Sequence, residues 1–310
     1  MVHRIECGNY SIERIPYEEE TQKLDTEDVY IAQIAPTQTA RILQFIGKTL
    51  PKLDGIEHVK RVRRDESNTN THTLLVILCQ CRMLDRDQLD ALIQGTEWAD
   101  LEILAGAVPV TPPYTLDQFE RWKKVWPVTY RPPLKLKRPE FSSKEAAYIE
   151  LCLQKVEELK KQGTEDNGRA VAVIMGSAQT HKIVAKATDT AAKSGNPLDH
   201  AVMNCIALVA DMELARLAAS SLEDGLSGAV PTKRLHDTTD SDCDTAGYLC
   251  EGLDVFSSKE PCVMCTMALV HSRIGRLFFV DESRSGGVSY YNMHSHKALN
   301  HRFIAFKCKQ

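Results

Sequence analysis

The alternation of apolar and polar positions sharpens at Val29 and predicts a regular succession of elements. Strand Val29–Ala35, helix Thr37–Leu50, strand Ile56–Arg64, strand His72–Cys81, helix Arg86–Gln94 and strand Leu101–Val110 follow one another. The order β-α-β-β-α-β is that of a ferredoxin-like α+β domain over residues 29–110. Its third strand is apolar at every position from Leu74 to Leu78, the mark of a strand buried on both faces. A second set of elements opens at Phe141. Ser142 and Glu145 have the spacing of a capping box, and Ile149, Leu153 and Val156 share one face of a helix reaching about Lys161. Strands Arg169–Met175 and Lys182–Ala187, a helix from His200 to about Ala218, and a strand over Leu253–Ser257 come next. A helix from Cys262 to about Ile274 and strands Arg276–Val280 and Phe303–Phe306 complete it. Three helices against a mixed sheet make an α/β domain over residues 141–310.

Three segments lack such a pattern. Residues 1–28, with Glu18, Glu19, Glu20, Asp25, Glu27 and Asp28, read as a flexible acidic leader. Residues 219–247 are rich in Ser, Thr, Gly and Asp and are far longer than an ordinary connection, which predicts a mobile insertion. Residues 111–140 form a connector in which six prolines favour extended chain, with a short helix over Leu116–Val125.

Charge changes the reading of that connector. The 310 residues carry 38 Lys and Arg against 42 Asp and Glu, so the chain as a whole does not attract polyanions, and a nucleic-acid role has to come from local clusters. Arg121, Lys123, Lys124, Arg131, Lys135, Lys137 and Arg138 stand together without an acidic residue, interleaved with Trp122, Trp126 and Tyr130. RNA contact is the favoured reading. The alternative is a linker whose tryptophans pack on the domains while its lysines face water. Lys60, Arg61, Arg63 and Arg64 at the end of the second strand suit phosphate binding or the charged edge of a sheet equally well. Ten scattered cysteines, no signal-peptide pattern and no long apolar stretch indicate a soluble, reduced protein of the cytoplasm or nucleus, with no membrane partner.

The chemistry concentrates in two short stretches. Asp199-His200-Ala201-Val202 opens one helix and Pro261-Cys262-Val263-Met264-Cys265 opens another. Cysteines three apart on a helix present both sulfurs to one ion, and a helix N-terminus favours the thiolate. With His200 they supply three zinc ligands and leave a fourth position open, the arrangement of catalytic zinc. This is the ligand half of the deaminase signature His-x-Glu…Pro-Cys-x-x-Cys, but Val202 holds the place of the Glu that moves protons. The expectation is a bound zinc without chemistry. The short polar tail nominates Cys308 or the terminal carboxylate of Gln310 as an occupant of the fourth position. His294, His296 and His301 fit no standard metal spacing.

His200-Ala201-Val202, the block Glu260–Ile274 and Leu299-Asn300-His301-Arg302-Phe303 resemble the non-catalytic subunit of the eukaryotic tRNA adenosine deaminase, within the cytidine and deoxycytidylate deaminase superfamily. The resemblance in motifs covers residues 141–310 and extends upstream only in layout. It implies a cytidine-deaminase-like mixed sheet with helices on both faces. It also implies a heterodimer with a catalytic subunit carrying an intact His-Ala-Glu motif, and conversion of adenosine to inosine at the tRNA wobble position. Two other readings stay open: a working nucleoside or nucleotide deaminase with a substitute proton carrier, and an RNA-binding scaffold with no deaminase partner.

Overall fold

The computed structural model describes residues 4–65, 73–132, 140–165, 170–223 and 250–310. In chain order the elements are β1 (Arg4–Cys7), β2 (Tyr10–Arg14), α1 (Glu18–Thr21), β3 (Thr26–Ile34), α2 (Thr39–Thr49), β4 (Val62–Arg64), β5 (Leu74–Gln80), α3 (Arg86–Ile93), β6 (Ile103–Pro109) and α4 (Leu116–Trp122). They continue as α5 (Ser143–Glu165), β7 (Ala172–Ser177), β8 (Ile183–Thr188), α6 (Ala191–Ser194), α7 (Ala201–Glu223), β9 (Leu253–Lys259), α8 (Val263–His271), β10 (Arg276–Asp281) and β11 (Ile304–Lys309). The chain forms two compact units, Glu19–Arg138 and Met1–Glu18 with Pro139–Gln310. No helix among the described residues is long and apolar enough to cross a membrane.

In the first unit the sheet order β4-β5-β3-β6, antiparallel throughout, is the ferredoxin-like arrangement expected from the element order. Alternation assigns the two faces of its strands. Ala32, Ile34, Val76 and Leu78 pack under α2 and α3, whereas Val29, Ile31, Leu75 and Ile77 face the other way. The second strand is shorter than expected. Ile56–Arg61 turns instead of extending, and Val59 bridges Val128 of the connector.

The connector is therefore not a free linker. Lys60 donates its backbone N–H to Pro127 O, Thr129 donates to His58 O, and the Trp126 indole donates to Lys60 O at 2.7 Å. Trp122 and Trp126 are each 1% exposed. Thr115 caps α4 reciprocally with Gln118, and Gln118 also donates to Glu19 O. Two large apolar rings gain more from burial than a flexible linker gains from freedom. Residues 133–139, which hold Lys135, Lys137 and Arg138, lie outside the described residues.

The second unit holds a seven-stranded sheet in the order β1-β2-β11-β10-β9-β7-β8. Strands β9, β10 and β11 run parallel, and β7 and β8 pair antiparallel at the other side. Ala172–Met175 of β7 is fully buried, with Ala172 and Ile174 under the α5 side and Val173 and Met175 under α7 and α8. The sheet thus carries helices on both faces.

The acidic leader contains a hairpin. Ile5 pairs with Ile12 and Cys7 with Tyr10 around a two-residue Gly8-Asn9 turn, and β2 then pairs with β11. Gly8 sits at φ +57, where a Cβ is disfavoured. Cys7, Tyr10 and Ile12 are buried, so apolar alternation holds this segment despite the charge that follows it. Helix α7 also reaches Glu223, beyond the expected start of the insertion; residues 224–249 lie outside the described residues.

Candidate metal centre

Two helix N-termini converge, one of them just beyond the C-terminal end of β9. His200 precedes α7, and its position is set by the turn before it. Asn204, one helical turn on, donates its side-chain amide to Asp199 O, Thr188 O and Thr190 Oγ1, tying the start of α7 to the end of β8. Cys262 is the N-cap of α8, in extended conformation, and its carbonyl accepts from Thr266 N at 2.8 Å. Cys265 then lies one turn inside the helix, its sulfur on the side of Cys262.

The three side chains meet. His200 Nδ1 is 3.6 Å from Cys262 Sγ and 3.5 Å from Cys265 Sγ. Among the described residues this is the one group of three or more His, Cys, Asp or Glu able to share an ion. Zinc bonds of about 2.3 Å to sulfur and about 2.0–2.1 Å to nitrogen, at the tetrahedral angle, separate S and N by about 3.6 Å. The donor set and its spacing fit zinc. Electrostatics agree: the hydrogen bond from Cys265, helped by that residue's backbone N–H and by His200, holds the Cys262 thiol down at about 5 against the cost of burial. Cys265 is pushed up, by its proton shared with Cys262 and by burial.

A cavity of about 140 Å³ adjoins these ligands, lined also by Asp189, Val202 and Glu260. Val202 is 3% exposed and contributes an apolar wall. Sequence reasoning overlooked the two carboxylates. Glu260 is buried, and its carboxylate accepts from Ser283 N, Val288 N, Ser289 N and Ser289 Oγ at 2.6–3.1 Å. It staples the loop after β10 beside the metal turn. Asp189 accepts from Ala191 N at 3.1 Å. The pair Gly286-Gly287 was the available signal: a Cβ at Gly286 would collide with the Glu260 carboxylate, and one at Gly287 with Thr266 Oγ1.

Cys308 does not close the site. Along β11, Ala305 faces the α7–α8 core whereas Phe306 and Cys308 face the α5 core, so Cys308 is on the wrong side of the sheet. The three histidines separate as well. His296 is exposed, His301 Nε2 contacts Ile274 O at 2.7 Å, and His294 is buried between Tyr17 and Phe303. Burial and the charge of Arg14 push His294 down to about 4. A folded-state value below the free value of about 6.5 means the unfolded chain binds the proton first, so stability falls as pH drops from about 6.5 towards 4. Denaturant titrations should show a loss on the order of 3 kcal/mol across that window, and the acid-side slope should flatten in His294→Phe.

The basic residues named from sequence divide by environment. Arg61 donates to Leu78 O and is partly buried, which pushes its pKa down. Arg63 donates to Val125 O and lies 4.1 Å from the Trp126 ring centroid. Arg121 pairs with Asp117 and Lys123 with Glu120. Lys60, Arg64, Lys124 and Arg131 are exposed and make no ion pair among the described residues. Folding the connector back joins Lys60, Arg63, Arg64, Lys123 and Lys124 around one cleft of about 880 Å³ on the face of the ferredoxin-like sheet not covered by α2 and α3.

Comparison with known proteins agrees with both halves. Residues 27–126 match the family model of the tRNA-specific adenosine deaminase TAD3 N-terminal domain, a match that runs through Trp126. Residues 143–281 match the cytidine and deoxycytidylate deaminase zinc-binding region. The tRNA-specific adenosine deaminase subunit tad3 of Schizosaccharomyces pombe is 32% identical, over 93% of this chain and 85% of that protein. The probable inactive tRNA-specific adenosine deaminase-like protein 3 of Danio rerio is 31% identical over 94% and 89%, and that of Homo sapiens 29% over 98% and 92%. Similarity at this level along nearly the whole length, carried by both domain models in the same order, places the chain in the TAD3 family of tRNA-specific adenosine deaminase subunits.

Proposed function

We propose that this chain is the non-catalytic, tRNA-binding subunit of a heterodimeric deaminase that converts wobble adenosine to inosine. The observation that carries the proposal is Val202, an apolar side chain walling the cavity where a deaminase needs its proton carrier. His200 Nδ1, Cys262 and Cys265 would hold a zinc, which in a deaminase would supply an activated water; Val202 here stands where the signature has the Glu that takes the proton. The metal is then a staple between α7 and α8. Met203 and Ile206 of α7 and Met264 and Met267 of α8 are only partly covered, giving an adaptable apolar face suited to a catalytic partner with an intact His-Ala-Glu motif.

The cationic cleft of the first unit is the RNA contact in this reading. Burial of both tryptophans removes them as stacking partners, so the contact is to phosphates, with Lys60, Arg64 and Lys124 as the uncommitted charges. Reversing two of them, Lys60→Glu with Lys124→Glu, should weaken tRNA binding at least tenfold at low salt. It should also reduce the slope of log K against log salt by about two while leaving partner association intact. Unchanged affinity and slope would remove the cleft from the tRNA path.

A further inference from the structure

With the tryptophans buried, the aromatic surface open to a ligand lies elsewhere. Among the described residues two aromatic side chains are exposed, Tyr290 at 67% and Tyr291 at 51%. They are adjacent, with ring centroids 4.8 Å apart and planes at 78°, so the two rings offer faces in different directions.

The loop that carries them is held firmly. Glu260 gathers the N–H groups of Ser283, Val288 and Ser289, Gly287 N donates to Pro261 O, and Gly286 bridges Cys262. Beyond the tyrosines, Asn292 N donates to Val288 O and Met293 N to Gly287 O, closing a tight turn. Exposed aromatics on a fixed loop lose little freedom on binding, which favours recognition over chance exposure.

Charge selects the partner. From Ser283 to Gln310 the chain has Arg284, Lys297, Arg302, Lys307 and Lys309 and no Asp or Glu, in a protein of net charge −4. Lys307 pairs with Glu282 and Lys309 approaches Glu13 at 3.9 Å, but Arg284 and Lys297 are exposed and make no ion pair among the described residues. Protein interfaces are depleted of lysine, whereas aromatic faces with unpaired cations suit single-stranded nucleic acid. We infer that the Ser283–Lys297 segment is a second RNA contact, in which Tyr290 and Tyr291 stack on unpaired bases and Arg284 and Lys297 meet the flanking phosphates. The inference rests on the reading of this chain as a tRNA-binding subunit.

The test uses the full chain in complex with its catalytic partner. The probes are an RNA hairpin carrying 2-aminopurine in its unpaired loop and a blunt RNA duplex of the same length. Tyr290→Ala and Tyr291→Ala should each bind the hairpin about fivefold to tenfold more weakly and lose 2-aminopurine quenching. Duplex binding should not change, and Tyr→Phe at either position should restore the hairpin. Wild-type affinity and quenching in both alanine variants would overturn the inference. So would loss of the partner subunit with RNA affinity per complex unchanged, which would make the tyrosines a protein interface. The Lys60→Glu, Lys124→Glu protein separates this inference from the reading beneath it. If that protein loses RNA and the tyrosine variants do not, only the second contact fails; if neither changes, the RNA-binding reading itself fails.

Discussion

Inosine at the wobble adenosine should form when this chain is combined with a partner carrying His-Ala-Glu, and not when it is supplied alone. General acid–base help is typically worth about 10²–10⁴ in rate, and deamination needs the same group for both proton transfers. Val202 can make neither. On α7 the nearest carboxylates, Asp211 and Glu213, are more than two turns further along the helix. Two others line the cavity, but both are engaged: Glu260 accepts from four donors on one loop, and Asp189 accepts from Ala191 N. Product analysis of tRNA incubated with this chain alone, with the partner alone and with the co-purified pair decides the matter. Activity from this chain alone that disappears in Asp189→Asn would make Asp189 the substitute proton carrier and revive the reading of an independent enzyme.

What could be read before the fold was known depended on whether the signal was local. His200, Cys262 and Cys265 announce themselves because a helix start fixes each of them within a few residues, and the β-α-β-β-α-β order follows from periodicities inside single elements. The hairpin at the N-terminus escaped because its partner strand β11 lies at the far end of the chain, and the acidic run beside it outweighed four alternating apolar residues. Trp122 and Trp126 were ambiguous for a physical reason: an aromatic beside a lysine is equally consistent with stacking on a base and with packing under a snorkelling side chain. The burial of both, Trp126 in the core on one face of the sheet, decided it, and the folding back of the connector brought Lys60 and Lys124 to one cleft. Glu260 could not be read as a staple at all, since the loop it holds follows a whole helix and strand later.

If His200, Cys262 and Cys265 hold a zinc as proposed, removing it should cost this protein stability. Zinc present at about a thousandfold excess over its dissociation constant contributes about 4 kcal/mol to the folded state. A domain of this size changes its midpoint by about 2–4 °C per kcal/mol, so Cys262→Ser, Cys265→Ser or a strong chelator should lower Tm by about 10 °C. Elemental analysis should find one zinc in the wild type and little in either variant, while Cys308→Ala, on the opposite face of the sheet, keeps its zinc whatever its Tm. Because thiolates and a neutral imidazole bind the ion, metal release should increase as pH falls. The decisive comparison is additive or not: if the metal is the staple, the chelator brings the wild type down to the melt of Cys262→Ser and leaves that variant where it was. A chelator that strips zinc without moving the wild-type melt would mean that the meeting of α7 and α8 is held by their apolar packing alone, and that the three ligands serve something other than the fold.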